Sequence, residues 1–410
     1  MTAQQFVLEL GRAMHALGSP SYRVEDTMQA CGRTLGLDGA FFSTPTAIFA
    51  SLAPIGQEAK TTLMRVLPGD HHLGKLAELY AIRDRVVRGE CPPERGLLMV
   101  REVLARPERG GGVRDVLAHV LAGAGAAPLF GGGSKEVLGA AAAGLVVGAL
   151  AWLARRRPRF ADVVAPLACA LAAFLLHTAA AFGLGVDPVI ATVAAIVVLL
   201  PGFSFTTALA ELAMRHLAAG SARLLGTLAT LLTMVVGVGL GDRMAAMLHA
   251  PVPPPLLVPL AWPWQIAALA ATWLAFTILL GATRRQTGWV LLAIAFGYGG
   301  ARLGGELLGS ELGAFLAALV VAGAANLFAR FRRQPAATLR TPGLLLLVPG
   351  SLGFQGLRTA VTGDYAASVP LLLHMLVVGG AIVAGLLMAG VVVPPPLDVE
   401  PDSRAHHAGQ

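Results

Sequence analysis

Leu199-Leu200-Pro201-Gly202-Phe203-Ser204-Phe205-Thr206-Thr207 and Leu347-Val348-Pro349-Gly350-Ser351-Leu352-Gly353-Phe354-Gln355 are the two stretches that decide the fold of this chain. Each lies inside an apolar run of helix length. Proline removes a backbone donor and clashes with the preceding turn, and glycine relieves the geometry, so a Pro-Gly pair breaks a helix at membrane depth. Broken backbone is tolerated there only where it lines a cavity or is buried in protein. A matched pair of breaks in corresponding positions of two halves points to a transporter's substrate site.

The surrounding composition is that of a membrane protein. The 410 residues are 55% hydrophobic and 13% charged, with a mean hydropathy of +0.68, against roughly 25% charged for a soluble domain. The net charge of +7 would suggest nucleic acid in a soluble protein. Here the arginines stand beside apolar runs, which is the pattern of membrane topology. Cys31, Cys91 and Cys169 give neither a disulfide framework nor metal-ligand spacing. The first residues, with Glu9 and Arg12, lack the basic and apolar regions of a signal peptide, so a cytosolic N-terminal region is expected.

That region, 1–112, reads as a small α+β domain. Helices are expected over 4–17 and 22–35, with Ser19-Pro20 between them as N-cap and first-turn proline. Strand-like segments at 41–42, 47–52 and 61–67 follow, then amphipathic helices over 75–88 and 94–106. Gly110-Gly111-Gly112 leads into the membrane.

Ten apolar segments come next, about 114–131, 136–154, 162–182, 188–210, 224–248, 260–282, 287–308, 311–330, 341–362 and 368–393. A crossing needs roughly 20 residues. Arg155, Arg156, Arg157 and Arg159 require the cytosolic side, which two crossings before them satisfy. The same count puts Arg215, Arg223, Arg284, Arg285, Arg330, Arg332, Arg333 and Arg340 on that side. Two membrane halves, 113–250 and 260–393, are thus joined by an external linker, 251–259. A half of five crossings inverts the next, so the expected fold is a mainly α-helical integral membrane protein with a 5+5 inverted repeat. The tail 394–410 is expected to be disordered and cytosolic. Each broken segment should end in a glycine-containing turn, Ala218-Ala219-Gly220 and Thr362-Gly363-Asp364.

The breaks carry the candidate chemistry. Backbone N–H groups start each second half-helix, where the dipole is positive, and free carbonyls end each first one. A small zwitterion uses both, with its carboxylate on the amides following Pro201 or Pro349, around Gly202 and Gly350. Ser204, Thr206, Thr207, Ser351 and Gln355 offer polar partners, or they satisfy neighbouring carbonyls. Ionisable residues at depth are functional candidates because they are costly there. Glu211 is read as a proton-coupling group or as an interfacial pair with Arg215 at i+4. Arg358 either steers carboxylates or snorkels outward, and Asp187 either caps a helix or gates the outer mouth. Gly131-Gly132-Gly133-Ser134-Lys135 lacks phosphate-loop spacing, so neither a nucleotide nor any other cofactor or metal is expected.

Gly18-Ser19-Pro20-Ser21-Tyr22-Arg23-Val24-Glu25 and Phe41-Phe42-Ser43-Thr44-Pro45-Thr46-Ala47-Ile48-Phe49-Ala50, together with the two Pro-Gly segments, resemble the threonine/serine exporter family over nearly the whole chain. The resemblance implies a non-enzymatic secondary exporter of L-threonine and L-serine in the cell membrane. Its partners would be the substrate, protons and the bilayer. Some two-chain members of the family are associated with dicarboxylates instead, which leaves that substrate open. A membrane-anchored enzyme or a ligand sensor acting through the N-terminal domain is the reading of another class. That domain could also mediate homo-oligomer contacts.

Overall fold

The computed structural model describes residues 2–107, 112–250 and 255–395. The expected tail beyond Pro395 and the first part of the proline-rich linker lie outside these residues. In the N-terminal unit, α1 (Thr2–Ala16) and α2 (Ser21–Thr34) precede a sheet of β1 (Leu37–Thr44), β2 (Ala47–Pro54) and β3 (Lys60–Arg65), followed by α3 (Leu73–Val87) and α4 (Pro93–Ala105). The strands are antiparallel in the order β1-β2-β3, with Phe41 opposite Ala50 and Phe49 opposite Leu63. Period-two alternation buries Ile48, Ala50 and Leu52 and leaves Phe49 exposed. On α1, Phe6, Leu10 and Met14 recur at i, i+4 and i+8 and form the core with Met28, Leu79 and Val100. Ser19 does not cap α2. Pro20, extended at φ −61° and ψ 152°, is the N-cap and offers no side-chain bond.

The apolar remainder begins with α5 (Val113–Leu129), α6 (Ser134–Arg156), α7 (Ala161–Ala181), α8 (Pro188–Ala195), α9 (Gly202–Ala213) and α10 (Leu217–Leu248). It continues with α11 (Trp262–Leu279), α12 (Thr287–Leu308), α13 (Ser310–Arg332), α14 (Ala337–Leu347), α15 (Gly350–Val361) and α16 (Tyr365–Val392). Among the described residues seven spans are long and apolar enough to cross a membrane: α6, α7, α10, α11, α13, the α14–α15 pair and α16. The protein is a multi-pass membrane protein. The short α5, the broken α8–α9 pair and α12 fall outside that set.

Some helix pairings recur in the two halves. α7 packs on α10 as α13 packs on α16, and α9 leans on α10 as α15 leans on α16. The broken helices then exchange partners, α9 packing on α16 and α15 on α10. Phe354 of α15 is buried in a core with Leu231, Met234 and Val235 of α10, and Phe203 of α9 packs against a core containing Val378 and Ile382 of α16.

The expected turn at 218–220 is instead part of α10. The chain turns earlier, at Met214–His216, where the His216 amide donates to the Glu211 carbonyl at 2.8 Å and the Arg215 amide to Leu212 at 3.0 Å. Arg215 takes the left-handed conformation, φ 66°. At the corresponding end of α15, Asp364 donates to Thr359 and Gly363 to Ala360, with Gly363 at φ 90°. Both are six-to-one, five-to-two helix terminations.

The N-terminal unit sits on one end of the helices. The Leu73 and Gly74 amides, at the start of α3, donate to the Leu280 and Gly281 carbonyls after α11 at 2.8 and 3.3 Å. One helix's orphan donors therefore satisfy another's orphan acceptors. The Gln286 side chain donates to the Leu73 carbonyl at 3.2 Å, and the Leu73 side chain joins Leu280, Val290 and Ile294 in a small core.

Candidate functional site

The two breaks are near copies in conformation. Pro201 (φ −80°, ψ 39°) precedes α9, Pro349 (φ −82°, ψ 29°) precedes α15, and neither helix start receives a side-chain cap. The first bonds into each helix run from Phe205 to the Pro201 carbonyl and from Gly353 to the Pro349 carbonyl. The amides of 202–204 and 350–352 are thus the orphan donors of their helices. Pro349 cannot donate to the Leu345 carbonyl one turn back.

The breaks also touch. A Cβ on Gly202 would lie 2.9 Å from the Gly350 amide nitrogen, and a Cβ on Gly350 would lie 2.9 Å from the Gly202 Cα. Only hydrogen fits on either side, so these glycines are required by close approach rather than by a positive φ.

Beside this contact lies a cavity of about 790 Å³. Val197–Leu200 and Gly202 of the first break line it together with Leu345–Leu352 of the second. Its charged wall is Asp115 and Arg155, whose Oδ2 and Nη1 are 2.8 Å apart. Asp115 is only 5% exposed, and its carbonyl is 2.8 Å from His119 Nδ1. Asp70, His71 and His72 of the N-terminal unit line it as well.

The remaining sequence candidates are dispersed. Ser351 lines this cavity, whereas Thr206 and Thr207 line a second one against the N-terminal unit. Ser204 and Gln355 are half-buried and line neither, and the Gln355 carbonyl accepts the Thr359 hydroxyl at 2.8 Å.

Glu211 is fully buried and does not pair with Arg215, which is exposed because the turn at 214–216 carries it away. Its partner is Arg223 on α10, with Nε 2.9 Å from Oε2 and Nη2 3.1 Å from Oε1. Oε1 also accepts the Ser21 amide at 3.0 Å, so a membrane-helix carboxylate serves the uncapped start of α2. Around this joint, Glu25 accepts the Ser43 amide at 2.7 Å and lies 3.5 Å from His216 Nδ1. Burial raises the Glu25 carboxyl above its ordinary range, against the pull of the Ser43 N–H and His216. Burial likewise lowers His15, and it drives His71 down to about 4 despite the neighbouring Asp70.

Arg358 is paired rather than free. Its Nη2 donates to Asp242 Oδ2 at 3.0 Å, and Asp242 Oδ1 is 3.1 Å from His177 Nδ1. Asp187 is a cap, accepting the Val189 and Ile190 amides at 2.8 and 2.9 Å, while its own amide donates to Glu136 at 2.8 Å.

The roles of Asp115, Arg223 and Asp242 were not anticipated from the sequence. Asp115 and Asp242 carry the signal that could have flagged them, a carboxylate inside an apolar run. Arg223 carries none, because it reaches Glu211 across a turn.

Residues 5–244 match one threonine/serine exporter family, ThrE, and residues 265–392 match a second threonine/serine exporter model, also ThrE. The chain belongs to the threonine/serine exporter family. It is 24% identical over 377 residues to pheromone-regulated membrane protein 10 of Saccharomyces cerevisiae strain YJM789, covering 87% of this chain and 48% of the yeast protein. The protein of the same name in Candida albicans strain SC5314 is 23% identical over 431 residues, covering 96% of this chain and 38% of its own length. The chain thus spans less than half the length of these curated relatives. No solved structure matches it. In the exporter family's two-part arrangement the first match contains the N-terminal unit and the first break, and the second match contains the second break.

Proposed function

We propose that the protein exports small amino acids, L-threonine and L-serine, from the cytoplasm by proton antiport and alternating access. The observation that carries this reading is that both Pro-Gly breaks meet at one cavity. Either set of orphan amides, at 202–204 or 350–352, receives the substrate carboxylate on a positive helix end. The Leu345 carbonyl, left without a donor by Pro349, receives the ammonium, and Ser351 meets the side-chain hydroxyl. Ser204 and Gln355 serve as supporting polar groups of the same half-helices.

The recurring pairings, the exchanged partners and the paired terminations support a 5+5 inverted repeat. In it α8–α9 and α14–α15 each count as one of ten crossings, and the N-terminal unit is cytosolic. Movement of one repeat against the other then opens the site alternately to each side.

Glu211 is the coupling group of this reading. Its charge holds Arg223 and the Ser21 amide together, so a proton on it loosens α9 from α10 and α2. Asp115, paired with Arg155 in the cavity wall, is the second carboxylate that a passing proton meets. Asp242 clamps Arg358 to α10, and Asp187 holds the start of α8, so these two act as latches.

A second reading rests on a specific observation. Two uncapped helix starts at one cavity offer two anion sites, which suits a dicarboxylate. Transport by purified protein in liposomes tests both readings. Replacing Pro201-Gly202 or Pro349-Gly350 by Ala-Ala is expected to lower transport of the preferred substrate about tenfold or more, the scale of lost hydrogen bonds to a charged group. Undiminished transport by both correctly inserted variants would remove the site.

A further inference from the structure

The second cavity, about 230 Å³, lies between the N-terminal unit and the membrane helices. His71 and His72 line both cavities, but the rest of this one comes from other elements. Ser19, Pro20 and Tyr22 line it from the turn into α2, and Thr206 and Thr207 from α9. Asn326 of α13, Arg340 and Thr341 of α14, and Arg23 of α2 and Tyr80 of α3 are also part of its polar wall.

Two features of this wall call for a ligand. Thr206 is 2% exposed, lines the cavity, and its hydroxyl has no hydrogen-bond partner. Thr227 and Thr272 return their hydroxyls to the Arg223 and Ala268 carbonyls. Of the described helical threonines whose buried hydroxyl has no partner, Thr27, Thr178, Thr192, Thr206, Thr277 and Thr338, Thr206 alone lines this cavity. The second feature is charge. Among the described residues no Asp or Glu lines the cavity, and the Arg340 side chain makes no hydrogen bond or ion pair, its backbone amide alone donating to the Ala336 carbonyl at 2.9 Å. A half-buried guanidinium in such a wall holds a planar fork of donors, which matches a carboxylate bidentately.

We propose that this cavity binds a small carboxylate, held by Arg340 with the Thr206 hydroxyl as a second contact. The volume suits an amino acid or a short dicarboxylate. It is distinct from the site at the breaks and does not depend on the transport reading. Because α2, α9 and α14 share the wall, an occupant bridges the N-terminal unit to the two helices that flank the breaks. Binding therefore biases their relative position, as expected of a regulatory site facing the cytosolic unit.

Equilibrium dialysis of the purified full-length protein in detergent, with labelled L-serine and separately with labelled succinate, tests this. For at least one probe, saturable binding is expected that survives the Pro349-Gly350 to Ala-Ala replacement. Arg340→Gln is expected to weaken it about tenfold or more, the scale of a charged hydrogen-bonded contact. The near-isosteric Thr206→Val weakens it to a smaller degree and guards against a folding defect in the arginine variant. The probe that binds tells an amino acid from a dicarboxylate. Absence of saturable binding by either probe overturns the proposal. So does binding that Arg340→Gln and Thr206→Val leave unchanged, or binding that only the Pro349-Gly350 replacement abolishes.

Discussion

At the scale of single residues, the Glu211–Arg223 pair shows how a buried charge is kept. Glu211 is fully buried and Arg223 half-buried, with both carboxylate oxygens bonded to the guanidinium and one also to the Ser21 amide. Removing one partner leaves an uncompensated charge, whereas removing both need not. Arg223→Ala is expected to destabilise the protein by about 3–5 kcal/mol. The Glu211→Gln/Arg223→Met double variant should recover much of that loss. Thermal unfolding in detergent checks both, and an Arg223→Ala protein as stable as the wild type would show the pair to be dispensable.

The Pro-Gly pairs were legible because proline and glycine act through local backbone chemistry, which sequence order displays. Glu211 was legible as a costly residue, but its partner was not. An i+4 spacing is visible in sequence, while a partner twelve positions on, brought back by a turn, is fixed only by packing.

At the scale of elements, local backbone chemistry decides where the half-helices end. Both half-helices after the breaks terminate alike, yet Gly363 stands at one left-handed position and Arg215 at the other. A side chain in that conformation costs roughly 1–2 kcal/mol, partly offset in a glycine variant by the extra chain entropy that glycine loses. Arg215→Gly should therefore raise stability by up to about 1 kcal/mol, seen as a higher unfolding temperature. A fall would mean that the Arg215 side chain holds a contact worth more than its strain. The start of α10 was misplaced in sequence for the same reason. Ala218-Ala219-Gly220 has the look of a turn, but the six-to-one termination needs only one left-handed residue, and here an arginine supplies it.

At the scale of the whole molecule, the N-terminal unit and the helices are joined by buried groups that titrate. His71 stays neutral down to about pH 4 and His15 is lowered from 6.5 as well, both by burial. Below pH 6.5 the unfolded chain binds protons that these two refuse in the folded state, so stability falls as pH drops from 6.5 towards 4. Glu25 acts in the opposite sense, because its raised carboxyl takes up a proton more readily in the folded state. With two groups against one, a net fall in unfolding temperature is expected between pH 6.5 and 5.5, smaller in His71→Phe. An unfolding temperature that is flat across that range in the wild type would contradict it.

The sequence alone conveyed the order of the helices, the breaks and the small α+β unit, since each follows from local periodicity and breaker residues. It did not convey the docking of that unit on the membrane helices or the cavity between them, because those depend on contacts between distant segments. The measurement that bears most directly on the central claim is counterflow in proteoliposomes. Purified protein is expected to exchange labelled L-threonine or L-serine, and an imposed pH gradient should drive net movement of that substrate against the proton flow. Correctly inserted protein that moves neither amino acid nor a dicarboxylate, with or without the gradient, would contradict the account.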